Sequence, residues 1–78
     1  MYRYLVIQES FSTADAGAYR SFSIRGWEKT VDDWLPVAAL SDVSVSADVA
    51  LRIARLLNAG QVQPSFLLPF VSTFLDSN

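Results

Sequence analysis

Cysteine and histidine are both missing from the 78 residues. Without a thiol there is no disulfide framework, no thiolate nucleophile and no zinc knuckle. Without an imidazole, a general base near neutral pH has to be a strongly shifted carboxylate or lysine. Lys29 is the single lysine and falls in a predicted turn. The serines have neither a histidine partner nor a G-x-S-x-G elbow. Glycine occurs three times, isolated at Gly17, Gly26 and Gly60, so no phosphate-cradling loop is encoded. No apolar run approaches the roughly 18 residues of a membrane span. The opening MYRYLVIQES turns polar after Ile7, too soon for a signal-peptide core. Positive charge is also scarce: six Lys and Arg against eight Asp and Glu leave a net charge of −2, the wrong sign for neutralising phosphates. These absences predict a cytoplasmic protein that is not an enzyme, with no cofactor, no metal, no nucleic-acid partner and no membrane segment.

What is present is apolar. Hydrophobic residues make up 51% of the chain and mean hydropathy is +0.25. A chain of this length forms one domain, over 1–78, and leaves a large fraction of its surface exposed. The apolar content therefore goes either into a dense core or onto a surface that meets a partner.

The segment with the most consistent signals is 46–60, SADVALRIARLLNAG. Val49, Ala50, Ile53, Leu56 and Leu57 gather on one stripe of a 3.6-residue helix, with Asp48, Arg52, Arg55 and Asn58 on the other side. Ser46 is a good N-cap, and Gly60 is the expected stop, at a left-handed position that costs glycine little. The helix is predicted over 47–58. After Gln61 to Gln63, Pro64 suits a first helical position, and Val62 with Leu67 is spaced for a hydrophobic staple. Leu67, Phe70, Val71, Phe74 and Leu75 form a second stripe, predicting a helix over 64–76. Pro69 interrupts it, so either a kink there or a short turn followed by a helix is expected.

The first half reads as strands. Residues 2–9 place Leu5 and Ile7 on one face and Tyr4 and Val6 on the other. Residues 10–17 are small and polar apart from Phe11 and read as a loop. Along 18–25, Phe22 and Ile24 share a face with Arg20, while Tyr19, Ser21, Ser23 and Arg25 take the other. Gly26 to Thr30 reads as a turn. Pro36 restricts the next strand to an edge or a bulge, so 37–41 is predicted as the third. The fold class is α+β: a three-stranded antiparallel sheet followed by a two-helix hairpin packed on one face, in the order β-β-β-α-α.

The run LSDVS at 40–44, then Val49, Ile53, Leu56, Leu57 and Asn58, then Pro64 and Leu67 through Leu75, resembles a family of short uncharacterised proteins from anaerobic Firmicutes, a domain of unknown function. The resemblance covers mainly 40–75. This chain departs from the family pattern in having Phe66 where a histidine is frequent, Pro69 where an acidic residue is common, and Ser23 where a glycine often follows the aromatic. The resemblance implies the same fold and no activity.

Two constellations stand out. Asp32 and Asp33, with arginines, are the elements of a cleft for a small ligand or a reaction, but adjacent residues on extended chain point apart and exposed Asp is the ordinary case. The aromatic set is richer. Tyr4, Tyr19, Trp27 and Trp34 are the candidate partner-binding residues, because Trp, Tyr and Arg are enriched at the centres of interfaces. Aromatics also fill cores. The leading expectation is a non-catalytic protein-interaction module that self-associates or meets an unknown protein partner through its open sheet face or edge; the alternative is a ligand-binding or enzymatic domain using Asp32 and Asp33.

Overall fold

Alternating side chains along the first thirty residues produce a long hairpin. A computed structural model describes residues 1–77 and places strand β1 at Tyr2–Thr13 and β2 at Gly17–Lys29, antiparallel and in unbroken register from Tyr2 opposite Glu28 to Thr13 opposite Gly17. β3, Trp34–Ser44, pairs with the other side of β2, giving the order β1-β2-β3. Helix α1 (Ala47–Ala59), a single 3-10 turn (Pro64–Phe66) and helix α2 (Leu67–Asp76) follow. The α+β arrangement is as expected, but the strands are longer.

Three features account for the difference. The segment 10–13 pairs with 17–20 in a ribbon that small polar residues decorate without breaking, and the turn is confined to Ala14 to Ala16. Gly17, at φ +68°, supplies the left-handed residue, and the Thr13 hydroxyl accepts from the Ala16 N–H at 2.9 Å. Gly26 is not a turn. It lies in mid-strand opposite Tyr4, whose ring covers it; a Cβ there would lie 2.8 Å from Tyr4 Cε1. β3 keeps Pro36 by slipping register, with Gly26 facing Ala38 while Trp27 faces Pro36, and it slips again between Leu40 and Ser44, where Asp42 takes φ 55°.

Helix α1 starts as expected, with the Ser46 hydroxyl accepting from the Val49 N–H. Its buried residues are Ala50, Ile53, Ala54 and Leu57, a stripe rotated away from Leu56, which is 47% exposed. Its end differs from expectation. Gly60 has φ −87°, and Gln61 takes the left-handed position at φ 46°. The Gln61 N–H donates to the Asn58 carbonyl and the Val62 N–H to the Leu57 carbonyl, the two bonds of a Schellman motif with Gln61 in the place glycine usually takes. Pro69 becomes the third residue of α2, within the first turn, where N–H groups have no intrahelical partner. The chain therefore breaks rather than kinks, with the 3-10 turn before it.

Both helices pack on one sheet face. Tyr4, Ile24, Ile53, Leu57, Leu67 and Val71 form the core, and the Tyr4 hydroxyl donates to the Val62 carbonyl in the connection between helices. Burial first, then Tyr2, holds the Tyr4 phenol above its ordinary value and keeps it a donor. A 12-residue strand runs about 40 Å at 3.3 Å per residue, whereas a 13-residue helix covers about 20 Å. The tip of the β1–β2 hairpin therefore extends past the helices, consistent with the 44 Å longest dimension. No helix among the described residues is long and apolar enough to cross a membrane.

Candidate functional site

Among the described residues, no helix or strand covers the sheet face opposite the helices. Cross-strand register assigns it Arg3, Leu5, Ile7, Glu9 and Phe11 from β1 and Tyr19, Ser21, Ser23, Arg25 and Trp27 from β2. Trp34 joins them because of the β3 slip at Val37. Without that extra residue, Trp34 would share the parity of Ala38 and point at the helices; with it, Trp34 pairs with Lys29 on the open side. The Arg3 guanidinium and the Lys29 ammonium each sit 5.8 Å from the Trp34 ring centroid. Each contact is worth about 0.5–1 kcal/mol at such exposure. Trp27 and Trp34 are both half-buried.

The middle of this face is an ion pair. Arg25 Nη2 lies 3.1 Å from Glu9 Oε2, crossing the row of Ile7 and Ser23. Arg25 Nη1, Glu9 Oε1 and Trp27 Nε1 are buried without a hydrogen-bond partner among the described residues. Leu5 and Ile7 stand exposed beside the pair.

At the hairpin end, Tyr19 stacks on its cross-strand neighbour Phe11, with centroids 5.7 Å apart. Tyr19, Ser21 and Ser23, alternate residues on one face of β2, hold the second β3 irregularity. The Tyr19 hydroxyl donates to Asp42 Oδ2 at 2.5 Å, Ser21 Oγ donates to the Ser44 carbonyl at 3.0 Å, and Ser23 Oγ accepts from the Asp42 N–H at 3.1 Å. Hydrogen bonding from Ser21 and then Tyr19 holds the Asp42 carboxyl below its ordinary range, and the Asp42 bond raises the Tyr19 phenol. Ser21 has one hydroxyl proton and shares it with the Ser44 carbonyl, so the bond from Tyr19 is the dedicated one.

A lowered Asp42 value stabilises the fold above the ordinary carboxylate range, and that contribution is lost as pH falls through the lowered value. The raised Tyr19 value stabilises below its ordinary value of 10.0 and is lost as pH climbs above it. Tyr19→Phe is expected to flatten both limbs of a melting-temperature profile. Acid and alkaline limbs that coincide with those of the parent protein would show that this hydrogen bond does not contribute.

The candidate residues thus divide. Trp27, Trp34 and Tyr19 share the open face, with Tyr19 at the opposite end from the tryptophans. Tyr4 does not belong to it: one parity step from Leu5, it is 1% exposed and lies in the core. Asp32 and Asp33 sit in the exposed turn between β2 and β3. Asp33 caps that turn, its carbonyl accepting from the Thr30 N–H at 2.7 Å and its carboxylate from the Trp34 N–H at 2.8 Å. The cavity that Arg3 lines is completed by Met1, Tyr2, Trp34, Asn58 and Gln61, without either carboxylate.

Asn58 and Gln61, polar residues to which the sequence assigns no site, hold the β1 edge. The Asn58 carboxamide accepts from the Tyr4 N–H at 2.7 Å and donates to the Tyr4 carbonyl at 2.9 Å. Gln61 does the same at Tyr2, at 2.7 and 2.9 Å. Two side chains thus stand where the next strand would, closing the first part of the β1 edge. The only local signal is a pair of carboxamides three residues apart at a helix end, and nothing local points to a strand more than fifty residues away. No family model, curated protein or solved structure matches the chain.

Proposed function

We propose that this chain is a small, non-catalytic protein-interaction module that self-associates, working through the sheet face its helices leave uncovered or through the edge of that sheet. One observation carries the reading: Trp27 and Trp34 lie on that face with Arg3 and Lys29 against Trp34 and with Leu5 and Ile7 exposed nearby. Large, stiff aromatic side chains beside cations are what interface centres favour, since they bury much area for little lost rotamer freedom. Light scattering behind size exclusion, run across a wide range of loading concentrations, tests it. The mass is expected to rise above the 8.6 kDa of one chain as concentration increases, with tryptophan emission shifting to shorter wavelength. A mass of one chain at every concentration would sink self-association.

A further inference from the structure

The edge of β1 is treated in two ways along its length. Tyr2 and Tyr4 turn their N–H and C=O groups away from β2 and give them to Gln61 and Asn58. In an antiparallel strand every second residue does so, and the β1–β2 register is unbroken, so Val6, Gln8, Ser10 and Ser12 also turn outward. Among the described residues nothing bonds those groups. The open stretch has no proline, no bulge and no lysine, the usual devices that blunt an edge. β3, by contrast, carries Pro36 and two irregularities in its pairing with β2.

We infer that a second copy of this chain adds to the open stretch of β1, antiparallel and about a two-fold axis beside Glu9, joining the two sheets into one of six strands. The inference rests on the self-association just proposed and, of the sheet's open face and its edge, assigns the contact to the edge. Register follows from where the edge is closed. Outward groups must meet outward groups, so only even shifts are allowed. Placing Val6 opposite Ser12 of the second copy, and Gln8 opposite Ser10, satisfies all four outward residues on each strand with about eight main-chain hydrogen bonds. Thr13 of the second copy then faces Leu5 and its chain turns away, just before the Asn58 cap at Tyr4. A shift of two residues one way drives Ser12 into that cap; the other way leaves Val6 unpaired.

Charge and space favour a second copy of the same chain as the occupant. In this register the hairpin turn of each copy brings its Asp15 towards Arg3 and Arg55 of the other. Arg55 is exposed in a groove of about 400 Å³ that runs between Tyr4, Val6 and the α1 residues Leu51, Ala54 and Asn58. Such pairs select partner and register more than they add affinity. Ile7 meets Phe11 of the second copy across the interface, an aromatic and β-branched pair. The two Glu9 side chains come together at the axis, each already paired with its own Arg25.

The absence of cysteine makes the test clean. Ser10→Pro removes an N–H that the β1–β2 ladder does not use, so the monomer is expected to fold while the scattering mass drops to one chain. Glu9→Cys, oxidised mildly, is expected to form a disulfide-linked dimer at least tenfold faster than Gln8→Cys or Ser10→Cys, because only position 9 faces itself across a close pair. This second readout holds if Ser10→Pro misfolds. A dimer that cross-links no faster at 9 than at 8 or 10 would overturn the inference. If that dimer also dissociates on Trp34→Ala, association through the open face stands and the edge contact alone fails. A parent protein that stays a single chain at every concentration would overturn both.

Discussion

Gly26→Ala is expected to cost about 3 kcal/mol, the upper part of the range for forcing one methyl group into a packed site. The added Cβ would stand 2.8 Å from Tyr4 Cε1, 3.2 Å from Tyr4 Cδ1 and 3.1 Å from the Ala38 Cβ. A ring at the end of a flexible side chain would swing away. This one is anchored at its hydroxyl by the Val62 carbonyl and walled in by the core, so the strain passes to the backbone. A domain of this size holds about 4–12 kcal/mol in total at roughly 0.05–0.15 per residue. The substitution should therefore lower the melting temperature by about 12–24 °C at 4–8 °C per kcal/mol. A double-mutant cycle with Tyr4→Ala identifies the cause: the alanine at 26 should cost much less once the ring is gone. Equal cost in both backgrounds would mean that Tyr4 does not cover the glycine.

Leu57→Ala and Leu56→Ala, adjacent substitutions of one residue type, are expected to differ by several-fold. Leu57 has no exposed surface and touches the core, so truncation should cost about 2–5 kcal/mol, depending on how far its neighbours close the cavity. Leu56 is 47% exposed, and its loss should stay within about 1 kcal/mol, helped by the better helix propensity of alanine. Chemical denaturation measures both. Comparable losses would mean that α1 is rotated about its axis from the position described, with Leu56 facing the sheet.

That pair also marks how far periodicity reads. The stripe from Val49 to Leu57 located the helix and its N-cap, because both are local: a 3.6-residue repeat and a serine before it. It did not separate Leu56 from Leu57, since a stripe wide enough to include both says nothing of which way the helix rolls against its sheet. The face assignments along β1 and β2 read correctly from alternation alone, and they put Tyr4 and Leu5 on opposite sides. What parity does not reveal is which side the helices cover, and so Tyr4 entered the candidate surface while belonging to the core. Trp34 reads only through the extra residue at Val37, which changes the parity of everything before it. Gly26 misled for a related reason. A glycine in sequence is the same symbol whether it permits a turn or makes room for a ring, and only the cross-strand partner distinguishes the two. The edge caps are least legible, because the bonds from Asn58 and Gln61 join residues 54 and 59 positions apart in sequence.

Those caps also set an order on how the chain folds. The β1–β2 hairpin closes through a three-residue turn, and its pairs form by short-range search in microseconds or so. The first residues of β1, however, are completed by side chains 54 and 59 positions later, after the whole sheet and α1 have been laid down. Closing so long a loop is entropically unfavourable until many contacts reward it together. The amides of Tyr2 and Tyr4, bonded to Gln61 and Asn58, should then exchange with solvent only when the helix end lets go. The start of β1 is held by the end of α1, so the two should gain and lose protection together.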